Sequence, residues 1–526
     1  MNMNSHPSHS LFKAISQVLL LVLCLSLFLS CAGIQKTPEV LPVLPDAGDD
    51  TGLEFRQETY AADPWHGRTD LIEPPGAKPA RPLLLSGISV KKESNGLTLI
   101  GAPSHDLPQV DVALTVKAGM FDDPEVKAGL SMLLAETVTR GAKKQSGEAI
   151  HAAIEQKGGS LFAQATYETI EIRCRALAND LALCLSLLAD VAMNATFPNE
   201  ELEKARDLLV GVAVRQVYDH PSALAGEHVM HQLFGDLHPH GLVITEKSLE
   251  NADSKSVLTF YHHYFTPGAA TLSVAGDFDD KTLSSLVSEH FGKWKKPTPP
   301  ERPLPKVPEP CGRQILLVDK PGLNQTQIRI AHLGISGKDA DSMAVLVMNA
   351  ILGDAGFSSR LMKTIRSDKG KTYNIRSSFE MNAMPGAFLI STFTRNHEVV
   401  STLEDTLGEI DRYRQEGPTE EELRRVKSLL TGEYPMTMQE PVKQADAIER
   451  ALRLGFDLDY VRNYALLLEA VTLAEVKEAA EKHLQTDPLT IVLVGDGDTL
   501  APALTAKNFS FTRIDWQAPI SQQANP

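Results

Sequence analysis

The sequence contains few cysteines, and none of them stands in a pattern that binds metal. There are five cysteines in 526 residues, with no Cys-x-x-Cys pair and no Cys/His spacing typical of zinc sites. Basic residues are also scarce, since 51 Lys and Arg face 67 Asp and Glu, which gives a formal net charge of −16. A surface that binds nucleic acid needs an excess of positive charge to neutralise phosphates. The composition therefore argues against a nucleic-acid partner and against a metal centre built from cysteines.

Long apolar stretches are absent as well, and the main apolar run lies near the N-terminus. It extends from Val18 to Leu29, which is shorter than the ~20 residues of a membrane-spanning helix and typical of a signal-peptide core. The run ends at Ser30-Cys31-Ala32, and a cysteine after a small residue resembles the lipobox of bacterial lipoproteins. We therefore predict a signal peptide over residues 1–30 and lipidation of Cys31. Simple cleavage and an uncleaved anchor are the alternatives.

Lipidation of Cys31 implies a place in the cell. The residue after the cysteine, Ala32, does not resemble an inner-membrane retention signal. We expect a chain that is anchored by lipid in the bacterial cell envelope, at the outer membrane and facing the periplasm. After loss of Cys24 and acylation of Cys31, the odd number of remaining cysteines (Cys174, Cys184 and Cys311) predicts buried free thiols or one optional disulfide.

Proline-rich segments divide the remaining chain. Residues 31–85 are rich in Pro, Asp and Gly, as expected of a tether. Residues 297–310 contain seven prolines, too many for a helix or a central strand, so this segment is predicted to be an extended linker. A chain of this length exceeds one ordinary core. We predict an N-terminal domain over 86–296, a C-terminal domain over 311–500 and a tail over 501–526.

The two predicted domains resemble each other in sequence. Each ends with an apolar strand and a Gly-Asp turn, Leu272–Asp277 in the first and Ile491–Asp496 in the second. Each also contains a Pro-x-Glu-Glu helix start, at Pro198 and at Pro418. Both pairs are about 220 residues apart, and a single period of this size indicates duplication of a whole domain.

Strand and helix patterns alternate within the first domain. Polar and apolar residues alternate over 109–116 and 169–175, which predicts half-buried strands. Helical patterns cover residues 125–139, 146–159, 179–193 and 200–218. Strands mixed with long helices favour an α+β sandwich of sheet and helix layers.

Several motifs carry a resemblance to a known family. They are Val116–Gly119 with Ala128–Thr137 and Gly141, His238-Pro239-His240-Gly241, Phe260–Pro267 through Gly276-Asp277, and Ser358–Leu361 with Arg366, Gly370 and Tyr373. Together they resemble the pitrilysin/insulinase metallopeptidase family, in its mitochondrial-processing-peptidase branch, over roughly residues 88–500. The resemblance implies an α+β fold of two tandem homologous α/β sandwich domains that form half of a clamshell.

The family's zinc motif is missing from this chain. In His-x-x-Glu-His, two histidines one helical turn apart bind Zn²⁺, and the glutamate polarises the attacking water. Aligning Gly129-Leu130 with the family's Gly-Leu places Met132, Ala135 and Glu136 at those three positions. The third ligand of the family, a later glutamate, would fall at Gly211-Val212. We expect no catalytic residue and no bound metal, with Glu136 a solvated or ion-paired helix residue.

Histidines elsewhere are the alternative source of a metal site. They are His220, His228, His231, His238, His240, His262 and His263. No metal-binding motif connects them, and the favoured interpretation is that they lie at the surface or pack in the fold.

A second family feature is retained. Arg366 and Tyr373 have the seven-residue spacing of the arginine–tyrosine pair that, in the family, reaches across a closed chamber and holds the substrate backbone near the scissile carbonyl. A guanidinium and a phenol are suitable donors for a developing oxyanion, and Gly370 would permit the turn between them. The alternative is an exposed helix arginine and a partly buried strand tyrosine. Arg360 is expected to be structural.

The loop Leu352–Phe357 resembles a shortened glycine-rich loop of the family's non-catalytic subunits. It lacks the GxxxxGK[ST] pattern of a phosphate-binding loop. A plain helix-to-loop turn is the favoured interpretation, and a loop that gates substrate entry is the alternative.

The leading hypothesis is a non-catalytic lipoprotein subunit that forms a heterodimer with a zinc-bearing homologue and binds peptide substrates through Arg366 and Tyr373. Zinc is expected in the partner subunit and not in this chain. Two alternatives remain open: a membrane-anchored scaffold or peptide-binding lipoprotein without a catalytic role, and an active zinc endopeptidase with unrecognised ligands.

Overall fold

The computed structural model describes residues 78–143, 145–295, 297–298, 306 and 312–520. The signal peptide, Cys31, most of the tether, most of the linker and Cys311 lie outside the described residues. The described residues belong to one compact unit. We call residues 78–295 the first half and residues 312–520 the second half. Among the described helices, none combines the length and the apolar character needed to cross a bilayer.

The first half is built on a six-stranded sheet. Its strands are β1 (Ser89–Lys92), β2 (Thr98–Pro103), β3 (Gln109–Val116), β6 (Ser160–Ala165), β7 (Ile170–Leu177) and β8 (Ala270–Gly276), while β4 (Gly141–Ala142) and β5 (Gln145–Ser146) form a separate hairpin. The order across the sheet is β1-β2-β8-β3-β7-β6. Only β2 and β8 are parallel neighbours. The predicted strands over 109–116 and 169–175 are confirmed as β3 and β7.

The second half repeats this sheet. Its strands are β9 (Arg313–Asp319), β10 (Gln325–Leu333), β11 (Ile375–Met381), β12 (Pro385–Arg395), β13 (Leu489–Gly495) and β14 (Thr512–Asp515). The order β14-β9-β13-β10-β12-β11 matches the first sheet strand for strand, with β11 in the place of β6. The edge strands β1 and β14 differ in direction: β1 is antiparallel to its neighbour β2, whereas β14 is parallel to its neighbour β9. The second sheet thus extends beyond residue 500, where the sequence placed the start of a tail.

Helices cover one face of each sheet. In the first half they are α1 (Leu130–Thr137), α2 (Gly147–Glu155), α3 (Leu181–Asn194), α4 (Asn199–Leu209), α5 (Gln216–Asp219), α6 (Pro221–Phe234), α7 (Glu246–Asn251), α8 (Ser254–Tyr264) and α9 (Asp280–Phe291). In the second half they are α10 (Ser342–Asn349), α11 (Val399–Glu416), α12 (Glu420–Thr437), α13 (Pro441–Arg453), α14 (Leu458–Ala470), α15 (Leu473–His483) and α16 (Gly497–Ala506). Alternate residues of β3, such as Val112 and Leu114, pack with Leu133 and Leu188 of these helices in the first core.

The other face of each sheet is covered by a helix from the opposite half. Leu224, Val229 and Phe234 of α6 pack on the second sheet, against Val318 and Val492 among others. In the reciprocal contact, Ala445, Ile448 and Ala451 of α13 pack on Ile100 and Ala102 of the first sheet. A buried Leu, Ile or Phe stabilises the fold by about 1.5–3 kcal/mol. The two halves therefore complete each other's hydrophobic layers.

Buried charges also join the halves. Arg173 of β7 donates to Asp111 (2.9 Å) on the neighbouring strand, to Glu171 (2.9 and 3.0 Å) and to Asp446 (2.8 Å) on α13. Burial opposes the charge, yet hydrogen bonds to Glu171 and Asp446 raise the pKa of Arg173 above its ordinary value. Glu168, in the turn before β7, accepts the backbone N–H of Ala383 in the second half at 2.7 Å.

One disulfide links two layers of the first half. Cys174 of β7 and Cys184 of α3 are bonded, with a Cα–Cα distance of 5.7 Å. Neither cysteine is exposed to solvent. The optional disulfide expected from the sequence is therefore formed between these two residues, and it fastens the helix layer to the sheet.

Candidate functional site

The helix at the position of the family's zinc motif is α1. It lies between the edge strand β6 and helix α4. A buried carboxylate fixes its start: Asp123 accepts the backbone N–H groups of Gly129 and Ser131 at 2.9 Å each, and the Ser131 hydroxyl at 3.1 Å. Gly129 has a φ of 92°, which favours glycine. The helix predicted over 125–139 is therefore shorter, because the Asp123 cap sets its first turn at Leu130.

The side chains at the three motif positions have no zinc-binding geometry. Met132 is partly buried and packs against the first core, and Ala135 is a core residue that is 3% exposed. Glu136 is half-buried at the end of the helix. Met132 offers a thioether in place of the first imidazole, Ala135 a methyl group in place of the glutamate base, and Glu136 a carboxylate in place of the second imidazole. A single carboxylate therefore remains where catalysis needs three ligands and a base.

The position of the third ligand is equally unsuitable. Gly211 and Val212 lie in a π-helical turn, Val210–Arg215, that continues α4. Val212 is 43% exposed, and neither residue has a side-chain donor atom for a metal. Across the described ranges, no three His, Cys, Asp or Glu side chains are placed to share a metal ion.

The histidines singled out by the sequence are mostly packed. His231 Nδ1 lies 2.8 Å from the carbonyl oxygen of Gly241, and the His240 backbone N–H donates to His238 Nδ1 at 3.2 Å. The His240 ring is 4.6 Å from the Phe121 ring and 4.7 Å from the Phe234 ring. Burial, aided by His238, lowers the pKa of His240 to about 3. His262 and His263 are exposed. The buried rings are thus packed in the fold, and His262 and His263 lie at the surface.

His228 gives a testable consequence of this packing. It is fully buried, and neither ring nitrogen has a hydrogen-bond partner among the described residues. Burial lowers its pKa to about 4, with a further contribution from His231. In the unfolded chain His228 binds a proton below about pH 6.5, whereas in the folded chain it stays neutral until about pH 4. His228 therefore lowers the free energy of unfolding progressively as the pH falls from 6.5 to 4.

We expect His228→Leu to be neutral or stabilising by about 1 kcal/mol at pH 7, because an unsatisfied polar side chain is replaced by an apolar one. Between pH 7 and 4 the variant should lose about 2–3 kcal/mol less stability than the wild type. Urea unfolding at both pH values measures this difference. The exposed His263→Gln is the matched control and should follow the wild type; a His228→Leu curve parallel to the wild type would contradict the prediction.

The structure brings Arg366 and Tyr373 together. Arg366 lies in a π-helical turn, Met362–Asp368, and Tyr373 follows the turn that leads into β11. The Arg366 Cζ atom is 4.5 Å from the centroid of the Tyr373 ring and 4.5 Å from that of the Phe357 ring. Tyr373 is 73% exposed and Phe357 is 69% exposed. The guanidinium thus lies over two aromatic rings at the surface.

The segments on both sides of Arg366 are fixed. Gly370 has a φ of 61° and ends the helical turn. The Thr372 hydroxyl donates to the carbonyl oxygen of Phe393 at 2.6 Å, while Lys369 and Lys371 both pair with Asp405 on α11. These contacts hold the chain that carries Tyr373 beside Arg366.

Arg360 has a different environment. Its guanidinium pairs with both carboxylate oxygens of Glu422 at 2.7 Å and donates to the carbonyl oxygen of Gly417 at 3.0 Å. It also lies 4.4 Å from the ring of Tyr413. All of these partners tie the segment before the Arg366 turn to α11 and α12, as a structural arginine does.

Phe357 is the residue that the sequence analysis did not assign. It lies in a single 3₁₀ turn, Gly356–Ser358, which follows the π-helical turn Ala350–Asp354. The segment 352–357 is thus helical and turn-like. An aromatic residue between two small residues in a predicted loop was the available signal, but its contact with Arg366 depends on the tertiary fold.

Comparison with known proteins places these features in a family. The family model described as Insulinase (Peptidase family M16) matches residues 102–241, and the model described as Peptidase M16 inactive domain matches residues 251–430. An uncharacterized zinc protease of Mycobacterium tuberculosis is 26% identical over 390 residues, 71% of this chain and 85% of that protein. Another from Bacillus subtilis is 24% identical over 412 residues, 76% of this chain and 96% of that protein.

Solved structures share the fold. A peptidase M16 inactive domain from Pseudomonas fluorescens has a TM-score of 0.70 and 24% identity, covering 78% of this chain and 98% of that one. A protease from Helicobacter pylori has a TM-score of 0.71 and 17% identity, covering 78% and 100%. The two family models together match more than half of the sequence, and the second of them begins in the last part of the first half and extends into the second half. This chain therefore belongs to the insulinase family of metallopeptidases, peptidase family M16.

Proposed function

We propose that this chain is a non-catalytic subunit that pairs with a zinc-bearing homologue and helps to bind peptide substrates for proteolysis. One observation carries the proposal: the position of the zinc motif holds Met132, Ala135 and Glu136, while Arg366 and Tyr373 lie together on an exposed surface. A chain that has lost its zinc ligands and kept its substrate-binding pair suits the second role in a two-subunit enzyme.

The Cys174–Cys184 disulfide supports the proposed location. Structural disulfides persist in oxidising compartments such as the bacterial periplasm and are rare in the cytosol. This agrees with a signal peptide and a lipid anchor on Cys31, and with a chain at the outer membrane that faces the periplasm.

The direct test mixes this chain with a zinc-bearing homologue from the same organism. We expect the two proteins to associate and the mixture to cleave unfolded peptides faster than the homologue alone. Arg366→Ala combined with Tyr373→Phe should preserve association and reduce this stimulation. If the homologue neither associates with the chain nor gains activity, the proposal fails. Association without any effect of the double variant would favour a scaffold.

A second candidate is an active zinc endopeptidase, which is favoured by the description of the relatives as zinc proteases. Metal content separates the two candidates. We expect the purified chain to hold less than ~0.1 equivalents of zinc, against the one ion that each catalytic site requires, and to show no chelator-sensitive peptide hydrolysis. One equivalent of zinc with chelator-sensitive cleavage would establish the second candidate.

A further inference from the structure

We propose that Phe357, Arg366 and Tyr373 form a carboxylate-binding site, and that its ligand is a peptide carrying a free C-terminal carboxylate or an acidic side chain. We call these three residues the aromatic–arginine site. This inference rests on the proposed function, because it assigns a chemical class to the peptide that the site receives. It adds Phe357 to the predicted pair and makes a specific claim about charge.

The first argument is the unpaired state of the guanidinium. Among the residues that the structure describes, the Arg366 side chain makes neither a hydrogen bond nor an ion pair. Several other arginines of the second half are paired, among them Arg360 with Glu422, Arg376 with Asp354, and Arg453 with Glu168. A guanidinium carries five N–H donors in one plane. At Arg366 these donors have no acceptor within the described part of the chain.

The second argument is the position of the two rings. Contacts between a guanidinium and aromatic rings use the face of the group, and they leave the N–H donors at its edge. Phe357 and Tyr373 lie at equal distances of 4.5 Å from the Arg366 Cζ. They cover part of the cation with apolar surface and reduce its contact with water, which strengthens a charge-assisted hydrogen bond. A planar carboxylate that accepts two parallel N–H donors is the matching ligand.

The third argument is preorganisation. The Phe357 turn is held by the Ser358 hydroxyl, which donates to the carbonyl oxygen of Ala355 at 2.9 Å, and by Arg425, which donates to the carbonyl oxygen of Ser358 at 2.9 Å. The Tyr373 segment is held by Thr372, as described above. Both rings therefore sit on fixed backbone, and binding does not need to order the segments that carry them.

The charge balance around the site also favours an anion. Lys369 and Lys371 share Asp405, so two positive charges oppose one negative charge beside Tyr373. Lys363 is exposed on the same helical turn as Arg366. Asp368 is the acidic residue of this turn, and it makes no ion pair with Arg366. The local excess of positive charge attracts an acidic peptide to a protein whose net charge is −16.

The test uses the full mature chain in detergent and three unstructured twelve-residue peptides that differ only in the carboxylate they carry. The first peptide has a free C-terminus and no acidic residue, the second is amidated and contains one Glu, and the third is amidated without Glu. We expect calorimetry to show about tenfold weaker binding of the third peptide, which corresponds to the loss of a bidentate pair. The first two peptides identify which carboxylate the site prefers.

Variants then assign the site. Arg366→Gln should remove the preference for carboxylates, and Phe357→Leu, which leaves the charge in place, should weaken it about threefold to fivefold. Phe357→Tyr, which keeps an aromatic ring, should retain the wild-type preference for carboxylates. This comparison separates the contribution of the ring from a general structural effect. Lys363→Gln is the control for a loss of charge on the same turn and should retain the tenfold preference.

The outcomes distinguish this inference from the proposed function. If all three peptides bind with one affinity, or if Phe357→Leu behaves as the wild type, the carboxylate site is refuted and a peptide-binding subunit still stands. If no peptide binds, and the zinc-bearing homologue gains no activity, both fail. A preference that Lys363→Gln abolishes to the same extent as Arg366→Gln would show attraction to a general positive surface and would also overturn the inference.

Discussion

Replacing Arg173 with Leu should destabilise the folded chain by about 3–5 kcal/mol. The Arg173 side chain is 7% exposed and donates to three carboxylates, on Asp111, Glu171 and Asp446. Removing the cation leaves the mostly buried carboxylate of Glu171 without its ion-pair partner, close to Asp446 and to Asp111, which keeps its pair with Arg175. The repulsion among these carboxylates is added to the cost of desolvation. Equilibrium unfolding in urea gives the change in the free energy of unfolding.

A surface arginine provides the matched control for Arg173. Arg215 pairs with Glu246 at 3.1 Å, but its side chain is 69% exposed, so Arg215→Leu should cost no more than about 1 kcal/mol. The variant Arg173→Leu/Asp446→Leu should recover part of the loss, since it removes one unpaired carboxylate. Equal effects of Arg173→Leu and Arg215→Leu would show that the buried network contributes nothing specific.

The disulfide gives the second large effect. Reducing the Cys174–Cys184 bond should lower the free energy of unfolding by about 2–3 kcal/mol, because the cross-link closes a loop between cysteines that are ten positions apart in the unfolded chain. The bond is buried, so a reductant should act mainly when the chain opens. Unfolding curves with and without a reductant measure the difference.

Variants separate the disulfide from other effects of reduction. Cys174→Ala combined with Cys184→Ala should be less stable than the oxidised wild type and should not respond to a reductant. Cys311→Ser should keep the full response. If a reductant destabilises the double variant as much as the wild type, the bond is not the source of the effect.

Part of this fold could be predicted from the sequence. The alternation over 109–116 corresponds to strand β3, and the repeat of about 220 residues corresponds to two sheets with one strand order. The α+β class and the family are confirmed. These features depend on local periodicity and on motifs, both of which can be read along a single chain.

Other features depend on contacts between distant residues and gave no local signal. The start of α1 is set by Asp123, whose carboxylate reaches six to eight residues ahead to Gly129 and Ser131. Strand β14 pairs with β9 about 200 residues earlier, so a short polar segment was interpreted as a tail. At the candidate site the spacing of Arg366 and Tyr373 was visible, but the third ring, Phe357, was not, because the fold alone places it beside the guanidinium.

The exchange of helices between the halves has a consequence for how this protein can be divided. Helix α6 belongs to the first half by sequence and to the second sheet by packing, and α13 has the reverse position. Cutting the chain in the proline-rich segment would give two fragments, each with an apolar sheet face bare and an apolar helix detached. The fragments would aggregate or recombine, and neither would survive as an independent module. The two halves of the duplicated fold are thus a single obligate unit of folding.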